Sequence, residues 1–141
     1  MAKDRRQGRP SSSGTTKTIP VPAPPTNHDQ MTPKFCLAHI HGIQNVNCLS
    51  RSQKADFASA LQKRSRMLWA DLRRADKHGL GLETLPIDAL RISLPAQFAD
   101  QLKVLVFRYS DLLPMVGIRV NEVFHILAIE DQFGALYDHG K

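Results

Sequence analysis

The chain has 141 residues, 42% of them hydrophobic, and a formal net charge of +6. That is one domain's worth of chain, with apolar residues enough for a single core. No run of about 18 apolar residues occurs, so no membrane span is expected. The basic opening MAKDRRQGRPSSSG lacks a following apolar stretch, so no secretory signal is expected either. Two cysteines, Cys36 and Cys48, are too few for a disulfide framework, which points to the reducing cytoplasm. The positive charge favours acidic partners such as nucleic acid.

The first 34 residues hold six of the nine prolines, no aromatic residue, and six Lys or Arg against two Asp. Such a stretch buries too little apolar surface to offset its ordering entropy. Residues 1–33 are therefore expected to be a disordered basic tail rich in Pro, Ser and Thr, ahead of a single domain over 34–141. The tail is a phosphate-tracking arm or a partner-holding segment in one reading. The bland alternatives are a linker, or reading frame ahead of a start at Met31.

KFCLAHIH (34–41) reads as a strand, with Phe35 and Leu37 on one face and Cys36, Ala38 and Ile40 on the other. The stretch from 36 to 48 also offers Cys36, His39, His41 and Cys48, all zinc-ligand types. Their spacing matches no compact finger, and no second close pair exists, so neither metal nor cofactor is expected. No Gly-rich phosphate loop, nucleophile elbow or HExxH occurs.

Ser50 precedes Gln53 at capping-box spacing and starts a helix, in which Ala55, Ala58 and Leu61 recur with Phe57 one turn before Leu61. RMLWADLRRADKH is a second helical stretch, and Ser65 either caps it or interrupts one long helix. Trp69, the sole Trp, is expected to be buried between helix and sheet. Gly79 and Gly81 end the pattern, with Lys77 and His78 suited to a helix C-terminus. Arg51 to His78 carries eight basic residues against three acids, whereas Gly79 to Lys141 carries five against eight. The basic excess is a solvated helix face or a nucleic-acid footprint.

Strands are expected at ALRISLP (89–95), at LKVLVFRY (102–109), and at MVGIRV and VFHILAIE, which flank a hairpin turn at Asn121-Glu122. With a two-residue turn, Val120 pairs with Val123 and Arg119 faces Phe124. Arg119 and His125 then point to opposite sides of the sheet. With a three-residue loop they share a face. Val116, Ile118, Val120, Val123, Leu127 and Ile129 form the expected core-facing set. In the two-residue register His125 falls among them as a core histidine, and Arg119 shares its face with Gly117, which would let a ligand approach the backbone. Beyond Glu130, Asp131 and Gly134 shape a turn and Phe133 and Leu136 fold back as an apolar clasp. Tyr137, Asp138 and His139 are left beside the sheet. The fold class is α+β: a strand, two helices, then an antiparallel meander sheet, with the helices packed on one face and the other face free.

LKVLVFRYS and MVGIRVNEVFHILAIED put an Arg near the end of one late strand and a Gly-x-Arg in the next, ahead of a Tyr/His terminus. Together with the element order over 34–141, this resembles the RelE/ParE-type toxins of bacterial toxin–antitoxin systems. The resemblance implies a small basic protein whose open sheet face carries the function. Many of that family cleave messenger RNA on the ribosome, while the ParE branch acts on gyrase. Carried onto this chain, it implies Arg108, Arg119, Tyr137 and His139 as catalytic residues, RNA or the ribosome as target, and an acidic antitoxin as partner. One departure is that the helical segment here is more basic than the sheet half.

The chemistry can be stated without the family. Attack of an RNA 2′-hydroxyl on its own phosphate needs a base, a cation for the phosphorane-like charge, and an acid for the leaving 5′-oxygen. Imidazole suits base and acid, and a guanidinium fork suits the cation. The chain offers Arg108, Arg119, His125 and His139, with Tyr137 as acid or stacking ring, and the scheme needs no metal. The rival from another class is a non-catalytic inhibitor or regulator, of the phage- or mobile-element-encoded kind, docking protein or nucleic acid through the sheet. A third reading is a structural accessory domain. Convergence of the four site residues on one open face favours the enzyme, and scatter favours the binder.

Overall fold

The computed structural model describes residues 26–139. Seven main elements follow one another: β1 (Lys34–Cys36), α1 (Arg51–Arg64), α2 (Trp69–Arg74), β2 (Leu82–Pro86), β3 (Lys103–Ser110), β4 (Leu113–Val120) and β5 (Val123–Ile129). The strands form one sheet in the order β1-β5-β4-β3-β2. β1 runs parallel to β5, and every other neighbouring pair is antiparallel. The class is α+β, as the alternation of periods implied.

Ser50 caps α1 reciprocally: its hydroxyl accepts from Gln53 N at 3.1 Å, and the Gln53 side chain accepts from Ser50 N at 2.9 Å. The helix stops at Arg64 with Ser65 as its C-cap, and Leu68 is the N-cap of α2, so Ser65 interrupts the helical run and does not cap the second stretch. After the break, α2 inserts Trp69 and Leu72, both wholly buried, against the sheet. Trp69 packs on Phe107 and Phe124, with centroids 6.0 and 6.3 Å apart, and its indole N–H donates to Glu122 O at 2.9 Å. A large ring with a satisfied polar atom is the anchor of the helix-side core.

The hairpin adopts the two-residue register. Val120 pairs with Val123, Arg119 with Phe124 and Ile118 with His125, and Asn121 takes a φ of 57°. Further along, the register slips: Gly117 pairs with Ile126 but Val116 with Ala128, leaving Leu127 as the extra residue of a bulge. Leu127 and Ala128 thus both join Val116 and Ile118 on the face away from the helices. Ile129 is carried to the helix side with Met115. The expected core-facing set is therefore split between two faces, and Val120 is exposed at the turn.

Three expectations change. The strand expected over 34–41 pairs only at Lys34–Cys36, because the chain turns back at Leu37 O, which accepts from Ile40 N at 3.3 Å. ALRISLP forms no strand. Its alternation is real, but Leu90, Ile92 and Leu94 lie down on the sheet instead of pairing along its edge. The edge is taken by Leu82–Pro86, with Pro86 at its end, where a missing N–H is tolerated. The face expected to be free is accordingly covered, by the segment around 87–98 and by the C-terminal stretch with Leu136 and Tyr137.

Most of the tail expected over 1–33 lies outside the described residues. Its last part belongs to the domain. Met31 O accepts from Trp69 N at 2.9 Å, and Asp29 pairs with Arg73 and with Arg119, the latter at 2.8 Å. No helix among the described residues is long and apolar enough to cross a membrane.

Candidate functional site

Near the end of β3 the odd residues Phe107 and Tyr109 face the helices, so Arg108 faces the opposite side. A register shift between Arg108 and Ser110 loosens the strand there. The backbone is held from behind by Arg64, a helix residue only 1% exposed. Its guanidinium donates to Arg108 O at 2.7 Å, to Gly79 O and Leu80 O, and stands 4.9 Å over the Phe107 ring. Burial pulls its pKa down to about 10.

The Arg108 guanidinium is the hub of a polar cluster. Nη2 donates to Glu83 Oε1 of β2 at 2.7 Å. Nη1 donates to Leu112 O at 2.8 Å and to the Tyr137 hydroxyl at 3.2 Å, and lies 3.3 Å from His139 Nδ1. Nε is buried and has no partner among the described residues. The anion-facing donors are the two Nη atoms, whose present partners an incoming oxyanion would have to displace.

His139 is oriented from its other side. Its Nε2 lies 2.8 Å from Glu130 Oε1. Glu130 is wholly buried and also accepts from Gly134 N at 3.1 Å and Leu136 N at 2.7 Å, so the carboxylate both bends the terminal segment back and aims the ring. The proton pattern that satisfies both neighbours puts Nε2–H toward Glu130 and the Nδ1 lone pair toward Arg108. The ring is sandwiched between Tyr137, stacked at 4.1 Å, and Phe133 at 3.8 Å. Burial pushes the Tyr137 phenol up to about 12, against the opposing pull of Arg108, so it keeps its proton at neutral pH.

A cavity of about 420 Å³ opens beside this cluster. Lys77 and His78 line it together with Glu83, Arg108, Tyr137 and His139. The helix expected over 66–78 ends at Arg74, so Lys77 and His78 reach the hollow from the turn that follows it, not from a helix C-terminus.

The structure brings together three of the four expected site residues: Arg108, Tyr137 and His139. Arg119 does not join them. The two-residue turn places it on the helix side, where its guanidinium lies 4.2 Å over the Trp69 ring and pairs with Asp29. That pairing, with burial opposing it, holds the Asp29 carboxyl below its usual range. Gly117 makes no room for a ligand, since an added Cβ would meet His125 O at 2.3 Å and the Phe124 ring at 2.8 Å. His125 lies on the Arg108 face but is absent from the cluster. Burial chiefly, with His39 nearby, lowers its pKa.

Glu83, Glu130 and Arg64 went unrecognised in the sequence. Glu130 alone left a signal, an acid at the inner end of an apolar strand shortly before a turn glycine. Of the zinc-type residues of 36–48, His41 and Cys48 turn elsewhere, His41 Nε2 to Ser93 O at 2.7 Å and Cys48 Sγ to Ile43 O, while Cys36 and His39 approach each other. No protein family, no characterised protein and no solved structure matches the chain.

Proposed function

We propose that this is a toxin-like domain of the RelE/ParE kind that acts on RNA in the cytoplasm, as a metal-independent endoribonuclease. The observation that carries the reading is the meeting of Arg108, Tyr137 and carboxylate-oriented His139 at one cavity whose rim includes Lys77 and His78. In this scheme a phosphate displaces the Arg108–His139 contact and takes the guanidinium fork. His139 Nδ1 removes the 2′-hydroxyl proton, and the 2′-oxygen attacks phosphorus. Tyr137 gives its proton to the departing 5′-oxygen, leaving a 2′,3′-cyclic phosphate. Arg108 stabilises the charge between these steps. Lys77 and His78, in the turn after α2, draw the backbone in.

One observation favours a second reading, a non-catalytic inhibitor or regulator. The His139 side chain is only 3% exposed and both ring nitrogens are engaged, so the cluster also serves as a clasp closing the C-terminal segment on the sheet. Purified chain incubated with single-stranded RNA separates the two. The enzyme reading expects cleavage that Tyr137→Phe and His139→Asn each abolish while RNA binding persists. Binding without cleavage by the unaltered chain leaves the docking reading in place.

A further inference from the structure

A different set of side chains meets where β1 lies parallel to β5. The register sets Cys36 directly beside His125. The turn after β1 brings His39 back over both, with the two imidazole rings 5.2 Å apart. One ligand atom from each of Cys36, His39 and His125 lies within 4.8 Å of the others. Phe98 walls the group, its ring 5.2 Å from His39 and 5.3 Å from His125. Cys36 is a free thiol.

An independent feature points to a ligand. His125 Nδ1 is buried and has no hydrogen-bond partner among the described residues. A buried imidazole nitrogen left in that state is a penalty that a bound cation would relieve. The Gln97 amide nitrogen lies against the His39 ring, 3.0 Å from Nδ1 and 3.3 Å from Nε2.

We propose that Cys36, His39 and His125 form a zinc site, with the fourth position taken by water. One thiolate and two imidazoles suit Zn²⁺ and exclude Mg²⁺ and Ca²⁺, which require oxygen ligands. Bonds of roughly 2.0–2.3 Å to nitrogen and sulfur set ligand separations of about 3.5 Å, so small side-chain rotations close the triad onto the ion. Two of the three ligands stand on paired strands, which fixes their spacing. The metal staples β1, a strand of only three residues, to the sheet. Neither cysteine-rich spacing nor a finger motif is needed, because the third ligand comes from the far end of the chain. The site shares no residue with the Arg108 cluster and does not depend on what that cluster does.

The test uses the full chain, stripped of metal and titrated with Co²⁺ and then Zn²⁺. One Co²⁺ per chain should bind with a thiolate-to-cobalt charge-transfer band in the near ultraviolet, and Zn²⁺ should displace it and raise the melting temperature. Cys36→Ser should abolish the band and weaken zinc binding more than roughly ten-fold, and His39→Asn should weaken it comparably. Cys48→Ser should change neither. The half-buried ring of His39, in the turn outside the strands, makes its variant a safeguard should Cys36→Ser fail to fold. No charge-transfer band in the unaltered chain, a band that survives Cys36→Ser, or unchanged zinc affinity in His39→Asn overturns the proposal.

Discussion

Replacing Glu130 by Ala is the most searching perturbation of the C-terminal clasp. The buried carboxylate accepts from Gly134 N at 3.1 Å, Leu136 N at 2.7 Å and His139 Nε2 at 2.8 Å. Alanine strands all three donors, each at a cost of about 1–3 kcal/mol if it stays buried. The segment is terminal, so part of it can open and hydrate, and the full sum is not reached. The expected loss is about 3–5 kcal/mol, the range for removing one partner of a buried charged pair. For a domain of this size each kcal/mol moves the melting temperature by roughly 4 °C, so the midpoint should fall by about 12–20 °C. Glu130→Gln keeps the shape but turns one acceptor into a donor facing a donor, and should cost about 1–3 kcal/mol. Thermal melts and urea titrations by circular dichroism read both. A Glu130→Ala chain within about 1 kcal/mol of the unaltered one would refute the claim that this carboxylate organises the terminus.

Three other outcomes follow from the same packing. Trp69→Ala should cost about 3–5 kcal/mol by urea titration, and Trp69 emission in the unaltered chain should be that of a buried indole. Gly117→Ala should cost about 1–3 kcal/mol, since its Cβ collides with His125 O and the Phe124 ring, and a neutral result would mean the bulge relaxes freely. Burial raises the pKa of both tyrosines, Tyr109 and Tyr137, the latter to about 12 from 10.0. A phenol raised on folding contributes stability that is fully present below the unfolded pKa and is lost as pH climbs toward the folded one. Tyrosinate absorbance should therefore stay absent through pH 10 and rise only nearer pH 12 or on unfolding; a plain titration at pH 10 in folded chain would contradict it.

The sequence spoke clearly where signals are local. The capping box at Ser50, the buried Trp69 and a tight hairpin around Asn121-Glu122 need only neighbours to be read, but the register of that hairpin stayed open until the pairing of β4 and β5 fixed it. The return of Tyr137 and His139 toward Arg108 was legible because a polar aromatic end after an apolar strand has few places to go. What stayed hidden depends on distant pairing. β1 joins β5 across most of the chain, so nothing in the sequence set Cys36 beside His125. The alternation in ALRISLP is the same whether its apolar side chains flank a ladder or lie on a sheet face, so its period misled. Arg119 looked catalytic by placement in a motif. Its partners, Trp69 and Asp29, come from elements whose approach only the fold supplies.

The central claim is that Arg108, Tyr137 and His139 cleave RNA without a metal. Its most direct measurement is the end-group chemistry of single-stranded RNA exposed to the purified chain with and without excess chelator, circular dichroism verifying that the fold persists in both. The account predicts fragments ending in 2′,3′-cyclic phosphate, formed at rates that fall ~10²–10⁴-fold in folded Tyr137→Phe and in folded His139→Asn. Uncut RNA, or a folded double variant that cuts as fast as the unaltered chain, would contradict it.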